Sequence, residues 1–97
     1  MKISVRFFTS FRELVGKREE SLEFSEDSKV TLDEALRLLS SKHGKSFVDY
    51  VYDPSTCKVK GFLQFLINGK SAASLGGLQT QLKDGDVLAI LPPVGGG

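Results

Sequence analysis

The sequence predicts one α+β domain in which a single main helix packs across one face of a mixed β-sheet. Short β-forming runs lie near both ends of the chain, and an amphipathic helix with a capping signal lies between them. The 97 residues contain no internal repeat, low-complexity block or linker to a second domain. These three observations favour a small α+β roll with one core.

The composition excludes several classes of function. Thirteen Lys and Arg against twelve Asp and Glu give a net charge of +1, which supplies no general attraction to nucleic acid or anionic lipid. The single cysteine, Cys57, makes neither an intramolecular disulfide nor a thiolate metal cluster. The apolar runs are too short to span a bilayer. We therefore expect a soluble cytoplasmic protein with no nucleic-acid partner, membrane contact or metal site.

The first elements form a predicted hairpin. Ile3, Val5 and Phe7 alternate with polar residues, which is typical of a half-buried strand, and residues 22–24 repeat the pattern. Between the two strands, residues 11–16 are long enough for one helical turn.

The main helix is predicted from Thr31 to about His43. The Thr31 hydroxyl can accept a hydrogen bond from a free N–H of the first helical turn. The Glu34 side chain, three residues later, can accept one from the Thr31 N–H, which is the capping-box pattern. Gly44 follows as a C-terminal stop. Apolar residues at spacings of three and four form one stripe facing the sheet: Leu32, Ala35, Leu36 and Leu39.

The second half of the chain predicts further strands. A short helical segment over residues 47–51 ends before Asp53-Pro54, and residues 62–67 form a strand. The Asn68-Gly69 pair that follows favours a type I′ hairpin turn.

The last part of the chain predicts a short helical turn and a final strand. The apolar side of the turn carries Leu75, Leu78 and Leu82. The Asp-Gly-Asp sequence at 84–86 favours a second turn, and residues 87–91 form the strand that follows it. Besides the leucines, the predicted core contains Phe7, Phe11, Phe62 and Phe65.

Three segments resemble the MoaD family of ubiquitin-like sulfur carriers, and they are equally similar to the archaeal small modifier proteins. The segments are FFTSFRELVG (7–16), FLINGK (65–70) and DGDVLAILPPVGGG (84–97). The resemblance covers the chain in order, with most weight on PPVGGG, and it implies a β-grasp, ubiquitin-like fold. Segment 44–61 looks longer than in the compact bacterial members, so its role stays open.

The resemblance also implies a division into a β-grasp domain, residues 1–91, and an extended flexible tail, residues 92–97. Family tails read Pro-Pro-Val, one small residue and two glycines, so Gly95 lies at the variable position, and Gly96 and Gly97 match the functional pair. The reactive group is then the Gly97 carboxylate, which a ubiquitin-activating-type adenylyltransferase would adenylate. No side chain of the carrier is catalytic in this scheme, and the partner rather than this chain uses ATP.

The tail residues suit entry into a deep active site. Pro92 and Pro93 lack a backbone N–H and favour extended geometry, so they end the last strand and project the residues that follow. Glycine is narrow and adopts backbone angles closed to other residues, which lets Gly96 and Gly97 enter a confined channel. Val94 is then placed to contact the partner.

Three functions remain open from the sequence. If sulfur attacks the adenylate, a thiocarboxylate forms and donates sulfur in molybdopterin biosynthesis, with this chain as the small subunit of molybdopterin synthase and a large subunit as partner. If a lysine amine attacks instead, the chain is a protein modifier joined to target proteins. The third alternative is an interaction module with an inert tail.

The remaining polar residues have structural interpretations. His43 suits a helix C-terminus, and Asp84 and Asp86 suit a turn. Cys57 lies in a predicted loop and would need a base such as His43 to act as a nucleophile, so it receives no catalytic assignment. An exposed apolar sheet surface is the expected docking site, and four basic residues either border it or are simply solvated: Arg6, Arg12, Lys58 and Lys60.

Overall fold

The computed structural model describes residues 1–92, so the predicted tail residues Pro93, Val94, Gly95, Gly96 and Gly97 lie outside the described part of the chain. Short 3₁₀ turns cover Ala72–Ser74 and Gly77–Gln79. The strands and helices follow in the order β1 (Lys2–Phe7), α1 (Ser10–Val15), β2 (Glu19–Glu23), β3 (Val30–Thr31), α2 (Leu32–His43), α3 (Lys45–Val51), β4 (Gln64–Ile67), β5 (Lys70–Ser71), β6 (Gln81–Leu82) and β7 (Val87–Leu91).

Five strands form one mixed sheet in the order β2-β1-β7-β4-β5. The central strand, β7, runs parallel to β1 and antiparallel to β4. Asn68 and Gly69 join β4 to β5 with φ angles of 53° and 84°, the positive values that a type I′ turn requires and that these two residue types tolerate. The predicted mixed sheet and both hairpins are confirmed.

The main helix, α2, lies where the sequence predicts it. The Glu34 N–H donates a hydrogen bond of 3.3 Å to the Thr31 hydroxyl, which caps the first turn. The helix ends at His43 because Gly44 adopts φ 79° and ψ −159°, a conformation open mainly to glycine. All four members of the predicted apolar stripe are fully buried beneath the helix.

The small elements correspond only partly to the prediction. Helices α1 and α3 confirm the two short helical segments, and the Ser10 and Tyr50 hydroxyls hydrogen-bond between them. Leu75, Leu78 and Leu82 do not share one helical turn: Leu82 pairs in the two-stranded sheet β3-β6, and Leu75 is 49% exposed. That small sheet has no alternating pattern because each of its strands is two residues long.

The core is continuous between the sheet and α2. Phe7, Phe11 and Phe65 belong to it, as predicted, but Phe62 is 51% exposed and lies outside the strand. The Leu63 N–H donates to the Lys60 carbonyl, so a turn occupies this point and β4 begins only at Gln64. Within residues 1–92, every helix is too short or too polar to cross a bilayer.

Candidate functional site at the end of the central strand

The predicted tail leaves the domain from the middle of the sheet. Leu88 and Ile90 of β7 are fully buried against the core, whereas Val87, Ala89 and Leu91 point to the opposite face. The strand ends at Leu91, where its partner on β4 is Gln64, and Pro92 follows directly. The position of the last paired residue before the tail is therefore set by the pairing of β7 with both neighbours.

A side-chain network fixes the start of β7. The Asp86 carboxylate accepts hydrogen bonds from the Lys83 N–H at 2.7 Å and from the Asn68 side-chain amide at 2.9 Å. The Asn68 side-chain carbonyl accepts a third from the Val87 N–H at 2.9 Å. This network locks the hairpin turn to the first residue of β7, which excludes a slip in strand register.

A second set of bonds ties the same end to β1. The Asp84 carboxylate accepts from the Lys2 N–H at 2.8 Å, and the Ser4 N–H donates to the Asp86 carbonyl at 3.0 Å. Asp84 and Asp86 therefore act in the turn, as the sequence predicts. Their effect extends along the strand, because the register fixed here also determines that Leu91 is the last paired residue.

The outer face of the sheet, opposite α2, carries an apolar strip. Val87, Ala89 and Leu91 of β7 lie on this face, and Leu66 of β4 pairs with Ala89. All four are half-buried, and two polar residues of β1 border them: Ser4, opposite Val87, and the exposed Arg6, opposite Ala89. This strip, defined as Leu66, Val87, Ala89 and Leu91, is an apolar sheet surface of the kind that the sequence leads us to expect, and it reaches the end of β7.

Three arginines lie beside the same end of the sheet. The parallel register pairs Phe7 with Ile90, so the carboxyl ends of β1 and β7 are neighbours. Arg6, Arg12 and Arg18 line a cavity of about 230 Å³ there, together with Phe7, Phe8 and Glu19.

His43 has a structural partner that the sequence did not indicate. Its Nε2 lies 2.6 Å from Glu20 Oε1, and Lys42 Nζ lies 2.9 Å from the other carboxylate oxygen. Burial disfavours the charge of Glu20, but hydrogen bonds from Lys42 and His43 outweigh it and hold the pKa of Glu20 below its ordinary value. The ring of His43 also packs edge-on against Phe7. The cluster joins β2 to the end of α2.

Cys57 is exposed in the loop after α3, as predicted, with φ 60°. It lines a cavity of about 410 Å³ that Tyr52 and Arg37 also line. Burial raises the pKa of Tyr52. The contacts of His43 are with Glu20, Phe7 and Phe47, so His43 is not placed as a base for Cys57.

Of the predicted tail residues, the structure places Pro92 alone, directly after β7; the other five lie outside residues 1–92. Sequence reasoning named Arg6 and Arg12 but missed Arg18 and Glu20. The predicted hairpin could have indicated Arg18. When Arg6 pairs with Glu19, Arg18 lies beside Phe7, whose N–H donates a hydrogen bond to the Arg18 carbonyl. Among residues 1–92, no three His, Cys, Asp or Glu side chains are grouped to hold a metal ion.

Residues 5–97 of the chain match the sequence model of the ThiS family. Small archaeal modifier protein 3 of Haloferax volcanii is 34% identical over 97 residues, which cover 100% of both chains.

Solved structures show the same fold. SAMP1 from Haloferax volcanii superposes with a TM-score of 0.84 at 26% identity, covering 100% of both chains. A candidate molybdopterin converting factor, subunit 1, from Pyrococcus furiosus gives 0.72 at 28% identity, covering 97% of this chain and 99% of that one. The similarity confirms the β-grasp, ubiquitin-like fold and the resemblance to sulfur carriers and small modifiers alike.

Proposed function

This chain belongs to the ThiS family, and from that premise we propose that it is a ubiquitin-like sulfur carrier whose terminal glycine, Gly97, is activated and converted to a thiocarboxylate. The observation that carries the proposal is the family match, which continues beyond the body of the domain through residue 97. The described part of the chain supports it, because β7 ends at Leu91 in the centre of the sheet and Pro92 follows directly.

The chemistry asks little of the carrier's side chains. The Gly97 carboxylate attacks the α-phosphorus of ATP on the partner enzyme, releasing pyrophosphate and forming an acyl-adenylate. Hydrosulfide then attacks the activated carbonyl and displaces AMP, which leaves a thiocarboxylate at Gly97. We propose that Pro92, Pro93, Val94, Gly95 and Gly96 form the narrow segment that reaches the partner's active site.

Work with a partner protein is part of the proposal. The Pyrococcus furiosus chain is described as subunit 1 of a converting factor, so that relative is one component of a larger assembly. For this chain we propose two partners in turn: a ubiquitin-activating-type adenylyltransferase, and then the large subunit of molybdopterin synthase. The apolar strip beside the tail supplies a surface on which either would dock.

The test is incubation of the full-length protein with the cognate adenylyltransferase, ATP and a sulfur donor. Intact-mass spectrometry should show the exchange of one oxygen for sulfur, and fragmentation should place the exchange at Gly97. A variant lacking Gly96 and Gly97 keeps the described domain whole and should stay unmodified. If the two proteins behave alike, the tail is inert and the proposal is wrong.

The alternative function is protein modification, in which a lysine amine takes the place of sulfur and an isopeptide bond forms at Gly97. The observation that favours it is the full-length identity of 34% to small archaeal modifier protein 3. This function predicts the chain's C-terminal residues attached to lysines of other proteins. Peptide mapping of proteins purified with the tagged chain from its native cell measures this directly, with the variant lacking Gly96 and Gly97 as the control.

A further inference from the structure

The arginine group beside the tail, Arg6, Arg12 and Arg18, has little use in the fold. Its members come from β1, from α1 and from the connection to β2. The nearest acid is Glu19, whose Oε2 lies 4.0 Å from Arg6 Nε, and both side chains are largely exposed, so their attraction is weak. No acid within residues 1–92 forms an ion pair with Arg12 or Arg18.

The charge balance here differs from the rest of the molecule. The whole chain has a net charge of only +1, yet three guanidinium groups and one carboxylate line this single cavity. Elsewhere Asp33 pairs with Arg37 at 3.1 Å, and Glu20 is surrounded by Lys42, Lys17 and His43. Folding therefore neutralises charge at those places and leaves a concentrated positive patch at this one.

The patch lies where a partner must approach. Phe7 pairs with Ile90, one residue before the end of β7, so the cavity opens next to the point at which residues 92–97 begin. A protein that receives the tail in its active site must place the rim of that site against this end of the sheet.

We propose that the arginine group binds carboxylate side chains on the rim of the adenylyltransferase site that receives the tail. This inference rests on the proposed function and adds the partner's chemistry to it. Guanidinium is planar and donates two parallel hydrogen bonds to a carboxylate, so three arginines around one cavity select an acidic protein surface. Because charge complementarity speeds encounter and orients the partners, the patch aligns the tail with the channel.

Distance favours protein carboxylates over the phosphates of ATP. Six extended residues span about 20 Å, so a phosphate that reacts with the Gly97 carboxylate lies about that far from Leu91 when the tail is inserted. The arginine group stays at the body of the domain, beside the end of β7. It therefore meets the mouth of the partner's site, whereas the nucleotide lies at the bottom.

The test replaces all three arginines with glutamine in the full-length protein and measures activation by the cognate adenylyltransferase. The KM for the carrier should rise about tenfold, with kcat and the KM for ATP unchanged, since rim charges act mainly on encounter. Added salt should raise the wild-type KM and affect the variant less.

A matched control removes the same charge elsewhere, by Lys29→Gln, Lys45→Gln and Lys83→Gln at exposed positions. Its KM should equal that of the wild type; an equal rise in both variants would show general attraction and overturn the inference. A raised KM for ATP in the arginine variant would mean that the arginine group binds the phosphates of ATP, and this result would also overturn the inference. Wild-type activation with no KM difference refutes this inference alone, whereas no activation of the wild type refutes the proposed function.

Discussion

The two ends of β7 differ in what their polar side chains do. At the start, Asp86, Asn68 and Asp84 satisfy backbone and side-chain donors of the domain itself. At the other end, Arg12 and Arg18 have no ion-pair partner within residues 1–92. The first end is organised for stability, and the second keeps its charges available to another molecule.

The difference has a mechanical consequence. A tail that enters a partner's active site is useful only if its starting point is fixed, and register in a sheet is set by the pairing of the whole strand. The hydrogen bonds at the start of β7 therefore position Leu91, although they lie at the far end of the strand. Substitutions at the start should lower stability, and substitutions at the end should lower partner affinity.

The largest expected effect comes from Asn68→Ala. The variant loses the bond to the Val87 N–H and the bond to Asp86, and it forces alanine into a φ of 53°. We expect the free energy of unfolding to fall by about 2 kcal/mol, since each exposed hydrogen bond contributes about 0.5 kcal/mol and the left-handed backbone costs about 1 kcal/mol. Urea unfolding measures the change, and the melting temperature should fall by about 10 °C.

Asn68→Gly separates the two contributions. Glycine accepts the positive φ but lacks the amide, so this variant should lose about half as much stability as the alanine variant. Well below their melting temperatures, both variants should keep the wild-type KM for the adenylyltransferase, because the backbone pairing of β7 with β1 and β4 still holds the register. A raised KM with unchanged stability would contradict the division between the two ends.

The sequence predicted the elements whose signals are local. Thr31 with Glu34 marks the start of α2, Asn68-Gly69 marks the hairpin, and alternation marks β1, because each pattern reflects a constraint within a few residues. Phe62 was misplaced because a β-forming run does not reveal that the turn at Lys60 excludes its first residues from the ladder.

The candidate site was predictable mainly in its sequence motif. The proline and glycine tail is a local pattern and could be recognised from the sequence, but residues 93–97 lie outside the described structure. The arginine group was predicted only in part: Arg6 and Arg12 were named, but Arg18 joins them through the register of β1 with β2, which no local pattern specifies. The contact of Glu20 with His43 was not predicted for the same reason, since the two residues are 23 positions apart in the sequence.

The apolar strip gives an intermediate effect, on binding rather than on stability. Leu66→Glu places a charge at the centre of the strip, next to Ala89, where a docked partner would have to desolvate it. We expect the KM for the adenylyltransferase to rise about tenfold, with the melting temperature lowered by only a few degrees because Leu66 is half-buried. Steady-state kinetics and thermal unfolding of the same sample measure the two quantities.

Ser46→Glu is the matched control for that variant. Ser46 is exposed on α3, away from the sheet, and the substitution adds the same charge. If both variants bind equally well, the strip is not the docking surface, and the end of β7 contributes its charges alone.

The smallest expected effect concerns the cluster of Glu20, Lys42 and His43. The question is whether this cluster stabilises the fold, as the hydrogen bonds at the start of β7 do. Glu20 is held by Lys42 and His43, and its side chain is only 6% exposed. The pKa of Glu20 is lower in the folded protein than in the unfolded chain, where the pKa of a glutamate is about 4.3. The folded state therefore binds the proton less readily, so the pair's contribution is fully present above the unfolded pKa and is lost as pH falls through the folded one.

Glu20→Gln should accordingly lower the free energy of unfolding by about 1 kcal/mol at about pH 5.5, close to the value for a surface pair because Lys42 and Lys17 are half exposed. Towards about pH 3 the wild type should approach the variant, since protonated Glu20 no longer favours the cluster. Urea unfolding across this range measures the convergence. Glu26→Gln, at an exposed loop residue without an ion pair in residues 1–92, should show no such difference at either pH. A constant gap between wild type and Glu20→Gln would mean that packing around His43, rather than charge, gives the cluster its stability.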